Sequence, residues 1–152
     1  MYDSKKDTME HIEHVRDMLD EVILDLRYRS ANHDASKLNE PEKPIFDEMT
    51  PRLASSTYGS DEYKAMLVNM KPALDNHYAV NRHHPEHYEN GIDGMTLIDL
   101  IEMLVDWKAA TLRHKDGSIY NSLRINSERF GISEQLKNIL LNTVNEMFGG
   151  GK

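Results

Sequence analysis

The chain has 152 residues, of which 39% are hydrophobic and 29% charged, a balance that suits one compact domain with an apolar core and excludes wholesale disorder. A formal net charge of −8 argues against a general nucleic-acid-binding role and against attraction to an anionic membrane. There is no cysteine, so disulfides and thiolate metal sites are excluded, and any metal has to be held by His, Asp and Glu. The N-terminal MYDSKKDTMEH lacks the apolar core of a signal peptide, and the most apolar run, LIDLIEMLVDW, is interrupted by acids and too short to span a bilayer. The expectation is a soluble, cytoplasmic protein with no membrane partner.

Long segments of period 3.6 and the lack of period-two alternation predict an all-α domain over residues 1–148, with 149–152 as a frayed tail. Asp7 or Thr8 caps a first helix running to about Tyr28, with Ile12, Val15, Leu19, Val22, Ile23 and Leu26 as its apolar stripe. SANHDASKLNEPEKP reads as a short helical turn ended before Pro41 and Pro44. Pro44 opens IFDEMTPRLASS, which Pro51 should kink or stop. Gly59, Ser60 and Asp61 punctuate before a long helix, DEYKAMLVNMKPALDNHYAV, bent at Pro72. NRHHPEHYENGIDGM reads as loop, and Thr96 with Asp99 as a capping box for TLIDLIEMLVDWKAATLRH. Its expected apolar face is Leu97, Ile98, Ile101, Leu104, Val105 and Leu112, with Asp106 opposite, in line with Glu102. Two helices close the chain: SIYNSLRINSERF, stopped by Gly131, and SEQLKNILLNTVNEMF, started by Ser133.

Four groups of residues can carry chemistry. On the first helix, the cluster Val15, Leu19, Val22 and Leu26 points about 50° from His11 but about 110° from His14. His11 therefore borders the apolar stripe, as a boundary histidine or as a ligand if partners reach it. His33 and Asp34 are adjacent and can share one ion only if other helices complete it, since neighbouring helical residues point about 100° apart. Lys37, one turn after His33, puts a cation on the same side, where it can hold a substrate phosphate. Asp106 sits either on a wet helix face or, if that helix is covered on both sides, in a buried position that demands a metal, a proton or a cation. His77, at the end of its helix, precedes His83, His84 and His87, so imidazoles from two backbone segments can converge; the other reading is a polar loop with histidines as turn residues. Imidazoles and carboxylates without sulfur suit zinc, manganese, iron or cobalt better than calcium.

The order His11, His33-Asp34, Asp106 resembles the HD-domain superfamily of metal-dependent phosphohydrolases, over roughly residues 8 to 114. HIEHV resembles the superfamily's opening histidine, HDASK its HDxxK signature, and LVDWKAA the helix carrying its last aspartate. NRHHPEHYENGIDG is similar to the doubled-histidine stretch of the HD-GYP phosphodiesterases. The Gly-Tyr-Pro ending is absent, IDGMTL standing there, and Ser36 stands where those enzymes usually have glycine, which points away from a cyclic di-nucleotide substrate. Over its whole length, including DWKAATLRH, the chain resembles a small uncharacterised HD-like family common in phages and bacteria.

The resemblance implies a compact HD-like bundle of about six or seven helices. It implies that His11, His33, Asp34 and Asp106 bind one divalent metal, with Asp34 bridging to a second ion held by His77 and His83 or His84, the latter two favoured over His87. The implied reaction is hydrolysis of a nucleotide or related small phosphoester by metal-activated water, without a protein nucleophile. Asp34, Lys37 and Arg82 are the expected catalytic residues, Lys108 and Arg113 further cations, and Glu42 or Glu86 groups that orient water or an imidazole. Trp107, Tyr78 and Tyr88 can stack on a base or serve packing. Two other readings remain: a di-iron oxygenase on the same scaffold, and a non-catalytic HD-like module that binds a metal, a nucleotide or a protein. A homodimer through an apolar helix face is compatible with the sequence.

Overall fold

The computed structural model describes residues 2–55, 61–113 and 117–149. Among them the fold is all-α, with seven α-helices, three short 3-10 segments and no strand. No helix among the described residues is long and apolar enough to cross a membrane. The chain divides into two compact units, Met1–His33 and Asp34–Lys152.

The first unit is in essence one helix, α1 (Lys5–Asn32), 28 residues long. It begins and ends beyond the Asp7-to-Tyr28 span read from the sequence, with Ser4 at its N-cap position and His33 leaving helical geometry at ψ 127. None of its residues is buried, and Ile12, Val15, Leu19, Val22 and Ile23 of the apolar stripe are exposed.

The second unit starts in a tight turn. Asp34 has φ 57, the only positive value outside glycine among the described residues, in a left-handed conformation that aspartate tolerates better than most side chains. A 3-10 turn follows over Ala35–Leu38. Helix α2 (Glu42–Ser55) starts two residues ahead of Pro44 and runs through Pro51 without stopping there. The lost N–H costs it one hydrogen bond, and only one more turn remains to be held.

Gly59 and Ser60 lie outside the described residues. The long helix expected after them is two, α3 (Asp61–Asn69) and α4 (Lys71–Val80), separated at Met70. Pro72 thus sits in the first turn of a new helix, where its missing N–H is harmless, and does not bend a continuous one. The histidine-rich stretch is not plain loop but carries two 3-10 turns, Pro85–His87 and Gly91–Gly94.

Helix α5 (Leu97–Thr111) opens with the Thr96–Asp99 capping box. Ser118 caps α6 (Ile119–Phe130), Gly131 ends it in the left-handed region at φ 63, and Ser133 caps α7 (Glu134–Phe148). The apolar core lies among these three helices: Leu100, Met103, Leu104 and Trp107 from α5, Ile119 and Leu123 from α6, Ile132, and Leu140 and Val144 from α7. The face of α5 read from periodicity is therefore corrected. Leu97, Ile101, Val105 and Leu112 are exposed, and only Leu104 of the expected set is fully buried. Another side of α5 is polar, where Asp99 meets Arg82 and Tyr88, and Glu102 meets His83, all three from the 81–96 segment.

Candidate metal centre

Asp34, His77, His83 and His84 each offer one ligand atom, and these four atoms lie within 4.8 Å of one another. Three backbone segments bring them together. Asp34 comes from the left-handed turn, His77 from the last turns of α4, and His83 and His84 from the turn directly after that helix. Asp34 Oδ1 is 3.3 Å from His77 Nε2 and 3.5 Å from His83 Nε2, while His77 Nε2 and His84 Nε2 are 2.9 Å apart. His77 and His83 are each only 2% exposed, so these two rings are closed off from solvent. Three nitrogens and a carboxylate oxygen converging in a partly buried space fit a divalent transition ion, since hard cations such as calcium and magnesium favour all-oxygen shells.

The electrostatics agree with that use. Burial would raise the Asp34 carboxyl, but hydrogen bonds from His77, His83 and Lys37 and the Lys37 charge outweigh it and hold the group well below the usual carboxylate range. His84 is pulled down to about 3, first by burial and then by the neighbouring His83 and His77, against the opposing pull of Asp106 and Asp34. It is therefore a neutral imidazole at pH 7, the form that binds metal.

Outer groups hold the ligands in place. Glu42, fully buried at the start of α2, accepts from Asn76 Nδ2 at 2.8 Å and lies 2.9 Å from His77 Nδ1. Glu102, on α5, lies 3.3 Å from His83 Nδ1. Asn81 Nδ2 donates to Ser36 Oγ and to the His77 carbonyl, both at 2.8 Å, tying the 3-10 turn to the end of α4.

The residues singled out in the sequence fall into distinct places. Asp106 is half-buried on α5, with a carboxylate oxygen within 4.8 Å of one from Asp34. Lys37 Nζ is 2.6 Å from Asp34 Oδ2 and about 5 Å from the centre of the Phe46 ring. Arg82 Nε and Nη2 both donate to Asp99, at 3.1 Å each. Asp99 also accepts from the Tyr88 hydroxyl and from Thr96. This set of bonds braces the 81–96 segment onto the start of α5. Burial would raise the Asp99 carboxyl, but these donors, Arg82 foremost, hold it far below the usual range.

His87 belongs to the same bracing, its Nδ1 at 2.9 Å from the Tyr78 carbonyl, and it lies outside the four-ligand group. Glu86 pairs with Arg129 at 2.7 Å. Trp107 is a core residue stacked on Phe130, whereas Tyr78 packs on the rings of His77 and His84. Lys108 is half-buried and Arg113 exposed. His11 is exposed on α1, and His33 is the last residue of the first unit, immediately before Asp34 in the chain. Glu102 was not read as functional from the sequence. Its signal was its place one turn ahead of Asp106 on the same helix face.

No curated protein and no solved structure matches the chain. A family model described as a family of unknown function, DUF5662, matches residues 1–146, and the chain belongs to that family.

Proposed function

We propose that the protein is a metal-dependent phosphohydrolase of HD type, acting in the cytoplasm on a nucleotide or a related small phosphoester. The observation that carries this reading is the meeting of the buried His77 and His83 with the half-buried Asp34 and His84 within 4.8 Å, which supports the resemblance of HDASK and the doubled histidine to that superfamily. A divalent manganese, zinc, iron or cobalt ion bound there supplies activated water at neutral pH and offsets negative charge on phosphoryl oxygens.

The chain's own residues do the rest. Asp34, with its depressed pKa, presents a carboxylate at neutral pH. Lys37 is in contact with Asp34 and partly open to solvent, its side chain 32% exposed, so a phosphoryl oxygen can take its ammonium without the cation leaving the site. Asp106 adds a second carboxylate beside Asp34. Arg82, expected from the sequence to meet substrate, serves in this reading as the brace that keeps His83 and His84 in position through Asp99.

The test is to measure the metal content of the purified full chain and then phosphate release from a panel of nucleotides and simple phosphoesters with each candidate ion. Turnover that depends on the ion and is lost in Asp34→Asn and His83→Ala, with folding retained, is the expected result. Asparagine is chosen at position 34 because it tolerates the left-handed backbone. Oxygen consumption by the iron-loaded protein without phosphate release would replace this reading with the di-iron oxygenase. A chain that takes up none of these ions, and whose melting temperature none of them moves, would leave only a non-catalytic module.

A further inference from the structure

Lys37 is held beside the histidine cluster from two sides. The 3-10 turn closes with the Lys37 N–H donating to the Asp34 carbonyl at 2.9 Å, and in that geometry side chains three residues apart stand over one another. Lys37 therefore reaches Asp34, its Nζ 2.6 Å from Oδ2. The other oxygen of the same carboxylate, Oδ1, lies on the side of His77 Nε2 and His83 Nε2, at 3.3 and 3.5 Å. One carboxylate thus stands between the ammonium and the histidine nitrogens.

The second hold comes from α2. Glu42, Phe46 and Met49 follow one another at helical spacings of four and three, which puts them on one face, with Glu42 and Met49 buried and Phe46 half-buried. The Phe46 ring meets the His77 ring edge-on, the planes at 76° and the centroids 6.3 Å apart. The Lys37 ammonium lies over the Phe46 ring, 5.3 Å from its centroid, within the range where the negative face of an aromatic ring attracts a cation. That attraction does not depend on Asp34, so it remains when the carboxylate shares its charge with an ion. An ammonium held by Asp34 alone would then be free to swing away on its four-carbon stem.

We propose that Phe46 is a positioning residue that keeps the Lys37 ammonium beside Asp34 while that carboxylate binds the metal, so that one phosphoryl group is held by two of its oxygens, one on the ion and one on Lys37. The inference rests on the metal-site reading above and adds to it the group that aims the cation. The oxygens of a phosphoryl group are about as far apart as those of a carboxylate, so such a group matches the separation that Asp34 spans between Lys37 and the histidines. Inorganic phosphate has the same chemistry and serves as the probe.

Phosphate binding is measured by calorimetry on the full chain loaded with stoichiometric zinc, and zinc affinity is measured separately without phosphate. Phe46→Leu removes the aromatic face and keeps an apolar side chain, so phosphate affinity should fall about three- to tenfold. Zinc affinity should stay within about twofold. Phe46→Tyr keeps the face and should bind phosphate as the unmodified chain does. Lys37→Met should weaken phosphate at least as much as Phe46→Leu, and the double variant should lose no more than Lys37→Met alone, because the ring acts only through the ammonium. A merely structural role for Phe46 would make the two losses add.

Unchanged phosphate affinity in a folded Phe46→Leu would overturn the proposal, as would additive losses in the double variant. Equal losses of zinc and phosphate affinity in Phe46→Leu would overturn it too, since the ring would then act through His77. Phosphate bound in this Phe46- and Lys37-dependent way, with no ester hydrolysed, would leave the proposal standing and remove the hydrolase reading. Ester hydrolysis with a phosphate affinity indifferent to Phe46 would do the reverse, and a chain that takes up no zinc, manganese, iron or cobalt would overturn both.

Discussion

Helix α5 stands between two interiors of the second unit that are built on opposite principles. On one side, Leu100, Met103, Leu104 and Trp107 pack against α6 and α7, with Trp107 stacked nearly parallel to Phe130. On the other, Glu42, His77 and His83 are buried as deeply as those apolar residues. Apolar burial stabilises by about 25 cal/mol per Å² and needs no partner. Burial of ionisable groups costs free energy unless every group finds one. The apolar interior thus accounts for the fold, while the polar interior is understandable only through what it holds. If that is right, the two should respond to different perturbations.

The largest expected effect is on activity. On the proposed hydrolase reading, Asp34→Asn should lower phosphate release by about a thousand-fold, or about 4 kcal/mol of transition-state stabilisation. If the site binds zinc as proposed, the substitution should also remove most of the stabilisation the ion would give, about 2.7 kcal/mol for the unmodified chain at a free zinc concentration near 100 times Kd. Thermal melts with zinc and with a chelator measure this. An equal zinc-induced rise in Tm for both chains would break the distinction between the two interiors.

In the apolar interior, Leu104→Ala should cost about 2 to 5 kcal/mol in denaturant melts, with the same zinc affinity in the fraction that remains folded. Leu104 is 2% exposed, so the lost methyl groups leave a cavity and not a solvated notch. A loss of zinc affinity larger than about twofold in folded protein would show that the two interiors are coupled through α5.

Asp99 lies at the junction, and its effect should be smaller and dependent on pH. It is fully buried and accepts from Arg82, Thr96 and Tyr88. Its carboxyl is held well below its ordinary value in the folded chain. The stabilisation it gives is therefore complete above the unfolded value, about 4, and is lost as pH falls below that toward the folded one. Asp99→Asn should cost about 2 kcal/mol at pH 7, and its deficit relative to the unmodified chain should shrink between about pH 5 and pH 2. A deficit constant across that range would show that the carboxylate charge contributes nothing there.

Legibility from sequence followed the range of the forces involved. Two helix starts set by one side chain on nearby N–H groups were plain, Thr96 with Asp99 and Ser133, which cap as their spacing suggests, whereas α1 starts ahead of the Asp7 or Thr8 cap read from the sequence. Gly131 in the left-handed region was equally local. The site was harder, because Asp34, His77 and His83 meet only when three segments fold together. Doubled histidines announce ligands but not which carboxylates stand behind them. Arg82 illustrates the limit: a cation beside two candidate ligands suggests phosphate, yet its partner Asp99 is 17 residues away and across a turn. The face of α5 failed for another reason. Apolar residues occur on nearly every side of LIDLIEMLVDW, so periodicity had little contrast with which to choose the buried one.

That failure supplies the smallest and sharpest prediction. Periodicity places Leu112 on the main apolar face, where replacement by a polar residue should cost several kcal/mol. The structure leaves it 74% exposed, like Leu97 at 75%, while the neighbouring Thr111 and the preceding Trp107 turn inward. Leu112→Gln removes little buried apolar area and unsatisfies no polar group, so its effect on the unfolding free energy should be within about 0.5 kcal/mol. Leu97→Gln should behave alike, since it sits at the first position of α5 beyond the cap and not under it. Denaturant melts of both variants beside Leu104→Ala decide between the two descriptions of α5. A cost at Leu112 comparable to that at Leu104 would mean that the exposed stripe is covered in solution. The apolar interior would then extend around α5 to the side that periodicity first indicated.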